Sequence, residues 1–170
     1  MLPCADSTRW SAIMPNGRCA LSIFIASTGA EPMTALTLTR DDDVITLSLV
    51  SPILSRKALA SLAGILDDLA GEKTPAPVVL ASAHPTIFLA GADLGEIAEL
   101  DSRSCVPYAR LGRSVARRLE THPAPVAAAV HGRCSGGGFD LGMGCDGVIA
   151  APGATFAHPG IRRGLVTGWG

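Results

Sequence analysis

The 170-residue chain lacks most of the patterns that would assign it quickly to a functional class. Its five cysteines, Cys4, Cys19, Cys105, Cys134 and Cys145, never form a C-x-x-C pair, so no metal site is expected. An odd cysteine count without framework spacing also predicts reduced thiols. An excess of charge of either sign is missing: the formal net charge is −1, which argues against a nucleic-acid partner and an anionic membrane surface. Long apolar runs are missing. Ala20 to Ala26 is short for a signal-peptide core, and Val126 to Val130 is far too short for a membrane span. No phosphate loop is present. Gly136-Gly137-Gly138-Phe139-Asp140-Leu141 puts leucine where a dinucleotide fingerprint needs its last glycine. The residue two before Ser135 is Arg133, so there is no nucleophile elbow. What these exclusions leave is one cytoplasmic globular domain, with 48% hydrophobic residues and a mean hydropathy of +0.35 to build its core.

Residues 1–32 show no clear period and read as a leader or upstream extension, poorly ordered, with Met33 as the natural start. From there TALTLTR and DDDVITLSLV form two alternating segments around an acidic turn, which predicts a β-hairpin. Ala58, Leu59, Leu62, Ile65, Leu66 and Leu69 then recur at helical spacing up to Gly71. Val78 to Ser82 is a buried strand, and a polar-faced helix runs from about Val106 to Glu120, stopped by His122-Pro123. Strands follow at 126–130, 147–151 and 154–157. Strands alternating with helices predict an α/β fold.

Chemistry concentrates in two bends. Pro125 to Gly144, PVAAAVHGRCSGGGFDLGMG, runs from an apolar strand through three glycines into a helix with Asp140 in its first turn. Glycine tolerates positive φ and leaves its N–H uncovered. At a helix start such amides lack intrahelical partners and carry roughly half a positive charge, a setting suited to an oxyanion. The glycines also read simply as close packing in a βα turn. The second bend, Phe88-Leu89-Ala90-Gly91-Ala92-Asp93-Leu94-Gly95-Glu96, favours the first reading, because two bends of small residues can aim two amides at one carbonyl oxygen. Asp93 and Glu96 sit where a helix start stabilises negative charge.

FLAGADLGEI at 88–97, with PVAAAVHGRCSGGGFDLGMGCDGVIAAPGATFAHPGI at 125–161, resembles the paired signatures of the crotonase superfamily, the enoyl-CoA hydratases and isomerases. The resemblance runs from about Leu36 to Gly170. It implies the spiral of repeated strand, strand, helix units, incomplete at the C-terminus, and an acyl-CoA substrate with no separate cofactor. By position it implies that the amides of Ala92 and Gly137 form an oxyanion hole for the thioester carbonyl and that Asp140 is the first catalytic acid. It further implies that Ala90, Gly91, Asp93, Leu94, Gly95 and Gly138 belong to the acyl site, and that Lys57 and Ala58 border the CoA. Full-length relatives continue with helices that close the acyl pocket and build a homotrimer or a dimer of trimers. On that comparison the chain reads as truncated, with apolar faces left unpacked.

Two departures bear on the reaction. Asp140 is one methylene shorter than the glutamate the family carries there, and the second glutamate, expected after Pro159, is Gly160. Hydration of an enoyl thioester divides proton work between two carboxylates. A single acid can still move a proton between carbons, so isomerisation stays open. His158 is the sequence's best substitute for the missing acid because histidine titrates near neutrality, but a surface or packing role is the reading preferred for it. His84 reads as a solvated loop residue, His122 as a helix-ending one, and His131 as facing either a cleft or a neighbouring strand. Arg103, Arg110, Arg113, Arg117 and Arg118 read as a solvated helix face, with CoA phosphates as the alternative.

Overall fold

The computed structural model describes residues 9–13, 19–24, 35–41, 43–166 and 168–169. The chain divides into two compact units, Met1–Glu31 and Pro32–Gly170. In the first, β1 (Arg9–Ile13) pairs antiparallel with β2 (Cys19–Phe24). The remainder of the expected leader, and Met33 with it, lies outside the described residues.

The second unit is α/β. Its opening hairpin joins β3 (Leu36–Asp41) to β4 (Val44–Leu49) in antiparallel register, Leu36 opposite Leu49, as the alternation predicts. β4 also pairs parallel with β6 (Val78–Ser82), which pairs parallel with β9 (Val126–Val130), and β11 (Gly147–Ala150) completes the parallel run. β6 is buried at every position, as expected of a strand with neighbours on both sides and covered faces.

A second set of short strands accompanies this sheet. β5 (Ile53–Leu54) pairs parallel with β8 (Gly91–Ala92), and β10 (Arg133–Ser135) lies parallel between β7 (Ile87–Leu89) and β12 (Thr155–Ala157). In chain order, a long-sheet strand, then a short-sheet strand, then a helix recurs four times. The helices in these turns are α1 (Arg56–Ala70), α2 (Leu94–Ala98), α4 (Gly137–Met143) and the 3-10 turn Pro159–Arg163, with α3 (Cys105–Glu120) inserted after α2. This is the repeat that the crotonase resemblance implies.

Helix ends follow from local chemistry. Ser55 caps α1 by accepting from the Ala58 amide at 3.2 Å, and Gly71 closes its last turn. The apolar stripe Ala58, Leu59, Leu62, Leu66 and Leu69 is buried, while Ile65 is only partly so. α3 buries Tyr108, Gly112, Val115, Ala116 and Leu119 and leaves Arg110, Arg113 and Arg117 in solvent. Arg118 departs from the solvated-face reading. Its guanidinium grips Asp67 of α1 bidentately at 2.8 and 2.9 Å, which clips the two helices together.

Candidate active site

The two glycine-bearing bends meet. Gly91 has φ +101, and a Cβ built there would lie 2.8 Å from the Gly137 nitrogen. Ser135 Oγ donates to the Ala90 carbonyl at 3.0 Å, a second tie between the bends. Gly136, with φ 54, turns the chain sharply into α4. Gly138 packs so tightly on Leu89 that any side chain there would overlap it. Glycine at 91 and 138 is therefore a condition of the approach, through backbone conformation at the first and through space at both.

This contact forms one wall of a cavity of about 520 Å³. Ala90, Ala92, Asp93, Leu94 and Gly95 line it from one bend; Gly136, Gly137 and Asp140 line it from the other. Gly91 and Gly138 are buried behind that wall. Lys57 and Ala58 occupy the first turn of α1, the lysine exposed and the alanine buried, and neither lines the cavity. Asp93 caps α2 by accepting from the amides of Gly95 (2.8 Å) and Glu96 (3.3 Å), as its place predicts. Glu96 does more than support its own helix. Its carboxylate accepts from the Arg56 amide at 2.9 Å and so caps the start of α1.

Asp140 faces His158. Nε2 lies 3.0 Å from Oδ1, with the aspartate side chain 10% exposed and the imidazole 32%. Both residues line the cavity, so His158 is partnered with Asp140 rather than free in solvent. Strand register explains the meeting. Ser135 of β10 pairs with Ala157 of β12, and the Gly136 amide donates to the Ala157 carbonyl at 3.0 Å. The next residue of each strand therefore starts at the same level, and one helical turn brings Asp140 round to His158. The ring of Phe139, 6.2 Å from the imidazole between centroids, supports it from the side. Beneath the pair, burial and then the Asp140 charge push the Cys134 thiol up to about 11.

The other histidines serve structure. His131 donates through Nε2 to the His84 carbonyl at 2.6 Å, so it faces the loop before β7. His84 is half-buried and accepts from the Thr86 amide, more engaged than a solvated residue. His122 follows α3 and accepts from the Ala124 amide. Among the described residues no group of three His, Cys, Asp or Glu could hold a metal, and no helix is long and apolar enough to cross a membrane.

Two aromatics that the sequence analysis passed over complete the cavity. Trp169 is buried, and its indole lies against the α-carbons of Gly112 and Gly137, where any Cβ would overlap it. Tyr108, the chain's single tyrosine, sits 6.3 Å from that indole and under the Arg56 guanidinium. Burial, aided by the Glu96 charge, pushes its phenol up to about 12. The available signal was Gly112, a residue that weakens a helix unless something packs against it.

The chain and its fold find counterparts in known proteins. Residues 40–170 match the family profile described as enoyl-CoA hydratase/isomerase. A short-chain-enoyl-CoA hydratase of Clostridium acetobutylicum is 33% identical over 117 residues, which is 69% of this chain and 45% of the relative. A probable enoyl-CoA hydratase of Bacillus subtilis is 30% identical over 141 residues, 81% of this chain and 54% of the relative. The crystal structure of an enoyl-CoA hydratase from Bacillus anthracis is similar with a TM-score of 0.76 at 29% identity, over 81% of this chain and 55% of that one. The chain belongs to the enoyl-CoA hydratase/isomerase family, and so to the crotonase superfamily. It spans about half the length of the relatives it matches.

Proposed function

We propose that this chain is an acyl-CoA-binding enzyme that stabilises a thioester enolate in an oxyanion hole, acting as a 2-enoyl-CoA hydratase of fatty-acid oxidation. In this reading the amides of Ala92 and Gly137 hold the thioester oxygen and Asp140 moves the proton. Each such donor in comparable sites contributes about 3 kcal/mol to transition-state stability, because it is aimed before charge develops. Ala90, Gly91, Asp93, Leu94, Gly95 and Gly138 form or support the acyl site, and Lys57 and Ala58 border the CoA. The observation that carries the reading is the contact between the Gly91 and Gly137 bends on one cavity shared with Asp140. The chemistry needs no cofactor beyond the CoA of the substrate. A cytoplasmic location and a homotrimer or dimer of trimers belong to the same proposal.

Gly160 favours a second reading, in which the same enolate is used for double-bond isomerisation or related chemistry on an acyl-CoA. A third, an inactive binding module, keeps the cavity and loses the turnover. A crotonyl-CoA hydration assay on the protein and on Asp140→Asn separates them. Hydration that falls by about 10²-fold or more in Asp140→Asn supports the first reading. Unchanged turnover in that variant removes Asp140 from the mechanism. CoA-ester binding with neither hydration nor isomerisation leaves the inactive module.

A further inference from the structure

The family's second carboxylate position is Gly160, yet an ionisable side chain two residues earlier reaches the cavity. We propose that His158 is the second acid–base group of this site and acts with Asp140 as one hydrogen-bonded unit on the α-carbon of the acyl thioester. The proposal rests on the acyl-CoA reading above.

Three observations carry it. The Nε2 to Oδ1 distance is 3.0 Å, a good hydrogen bond in which an ionised carboxylate can only accept and the imidazole N–H donates. The imidazole is 32% exposed against 10% for the carboxylate, so the histidine is the member with more open surface for a bound ligand. The arrangement is also anchored: the β10–β12 register, the Gly136 to Ala157 hydrogen bond and the Phe139 ring hold the two side chains from both sides. A mobile surface histidine has none of these supports.

The chemistry follows from the tautomer. A carboxylate on Nε2 keeps the proton there and leaves the lone pair on Nδ1. Nδ1 takes the α-proton: the C–H bond breaks, an N–H bond forms, and the electron pair moves into an enolate whose charge rests on the thioester oxygen. In this refinement Asp140 does not take the α-proton itself but stabilises the imidazolium, as an acid behind a catalytic histidine does elsewhere. Return of the proton to the same or another carbon regenerates the starting groups, so no other reactant is consumed.

The test is hydrogen exchange at the α-carbon of butyryl-CoA in D₂O, followed by NMR, which needs neither hydration nor isomerisation to occur. The unsubstituted protein is expected to exchange. His158→Gln should lose about 10²-fold or more of that rate, while its butyryl-CoA affinity and unfolding midpoint stay close to those of the parent. His158→Asn, a shorter amide, should show the same loss if the glutamine folds poorly. Exchange at the parent rate in either folded variant overturns the role of His158 and leaves Asp140 as the base. No exchange in the unsubstituted protein, with butyryl-CoA bound, removes the enolate reading and the pair together.

Discussion

Gly91 carries more of the site than its size suggests. Its φ of +101 is a conformation that L side chains rarely adopt, and its missing Cβ leaves room for the Gly137 nitrogen. Gly91→Ala should therefore cost stability, on the order of 1–3 kcal/mol for the strained backbone, and should shift Gly137 as well. Urea unfolding and a crotonyl-CoA hydration assay would show both losses; a fully stable, fully active variant would contradict the contact between the bends. The cysteines give a second prediction. Burial raises Cys134 to about 11 and Cys145 to about 12, whereas Cys105 is exposed. The thiolate is the reacting form, so a maleimide at pH 7.5 should modify Cys105 ahead of Cys134 and Cys145, which are spared until the protein unfolds. Peptide mass mapping reads the order.

Local patterns and long-range pairings differ in what the sequence discloses about the elements. The β3–β4 hairpin, the α1 stripe, β6 and the strand into α4 were legible because alternation, helical spacing and a glycine bend are each encoded within a few neighbouring residues. The meeting of His158 with Asp140 was not, since it depends on β12 lying parallel to β10 with Ser135 opposite Ala157. Nor was the Glu96 cap on α1, which spans 40 residues, or the indole of Trp169 on Gly112. That last contact predicts the behaviour of α3. Gly112→Ala improves helix propensity by about 1 kcal/mol in isolation, yet here its methyl overlaps a buried indole, so the net effect should be destabilising. Trp169→Ala should cost about 3–5 kcal/mol through the cavity it leaves. Thermal unfolding of both variants checks the pair, and a stabilised Gly112→Ala would contradict the packing.

For the whole molecule, the same raised thiols set an alkaline limit. Cys134 and Cys145, with an ordinary value of 9.0, and Tyr108, with 10.0, all titrate higher when folded. As pH rises past 9 the unfolded chain releases these protons first, the folded chain binds more, and stability must fall. Urea midpoints should decline steadily between pH 8.5 and about 11 and change little from these groups below 8. At this scale the family and the α/β spiral were readable from two short signatures, because the bends that build the cavity are continuous in sequence. Its far walls, with Tyr108 and Trp169, come from segments distant in the chain. The central claim is that one thioester oxygen is held by two amides from separate bends. A crystal structure with bound butyryl-CoA tests it most directly. The account predicts that oxygen at about 2.7–3.1 Å from both the Ala92 and Gly137 nitrogens. An oxygen bonded to neither, or to one alone, would contradict it.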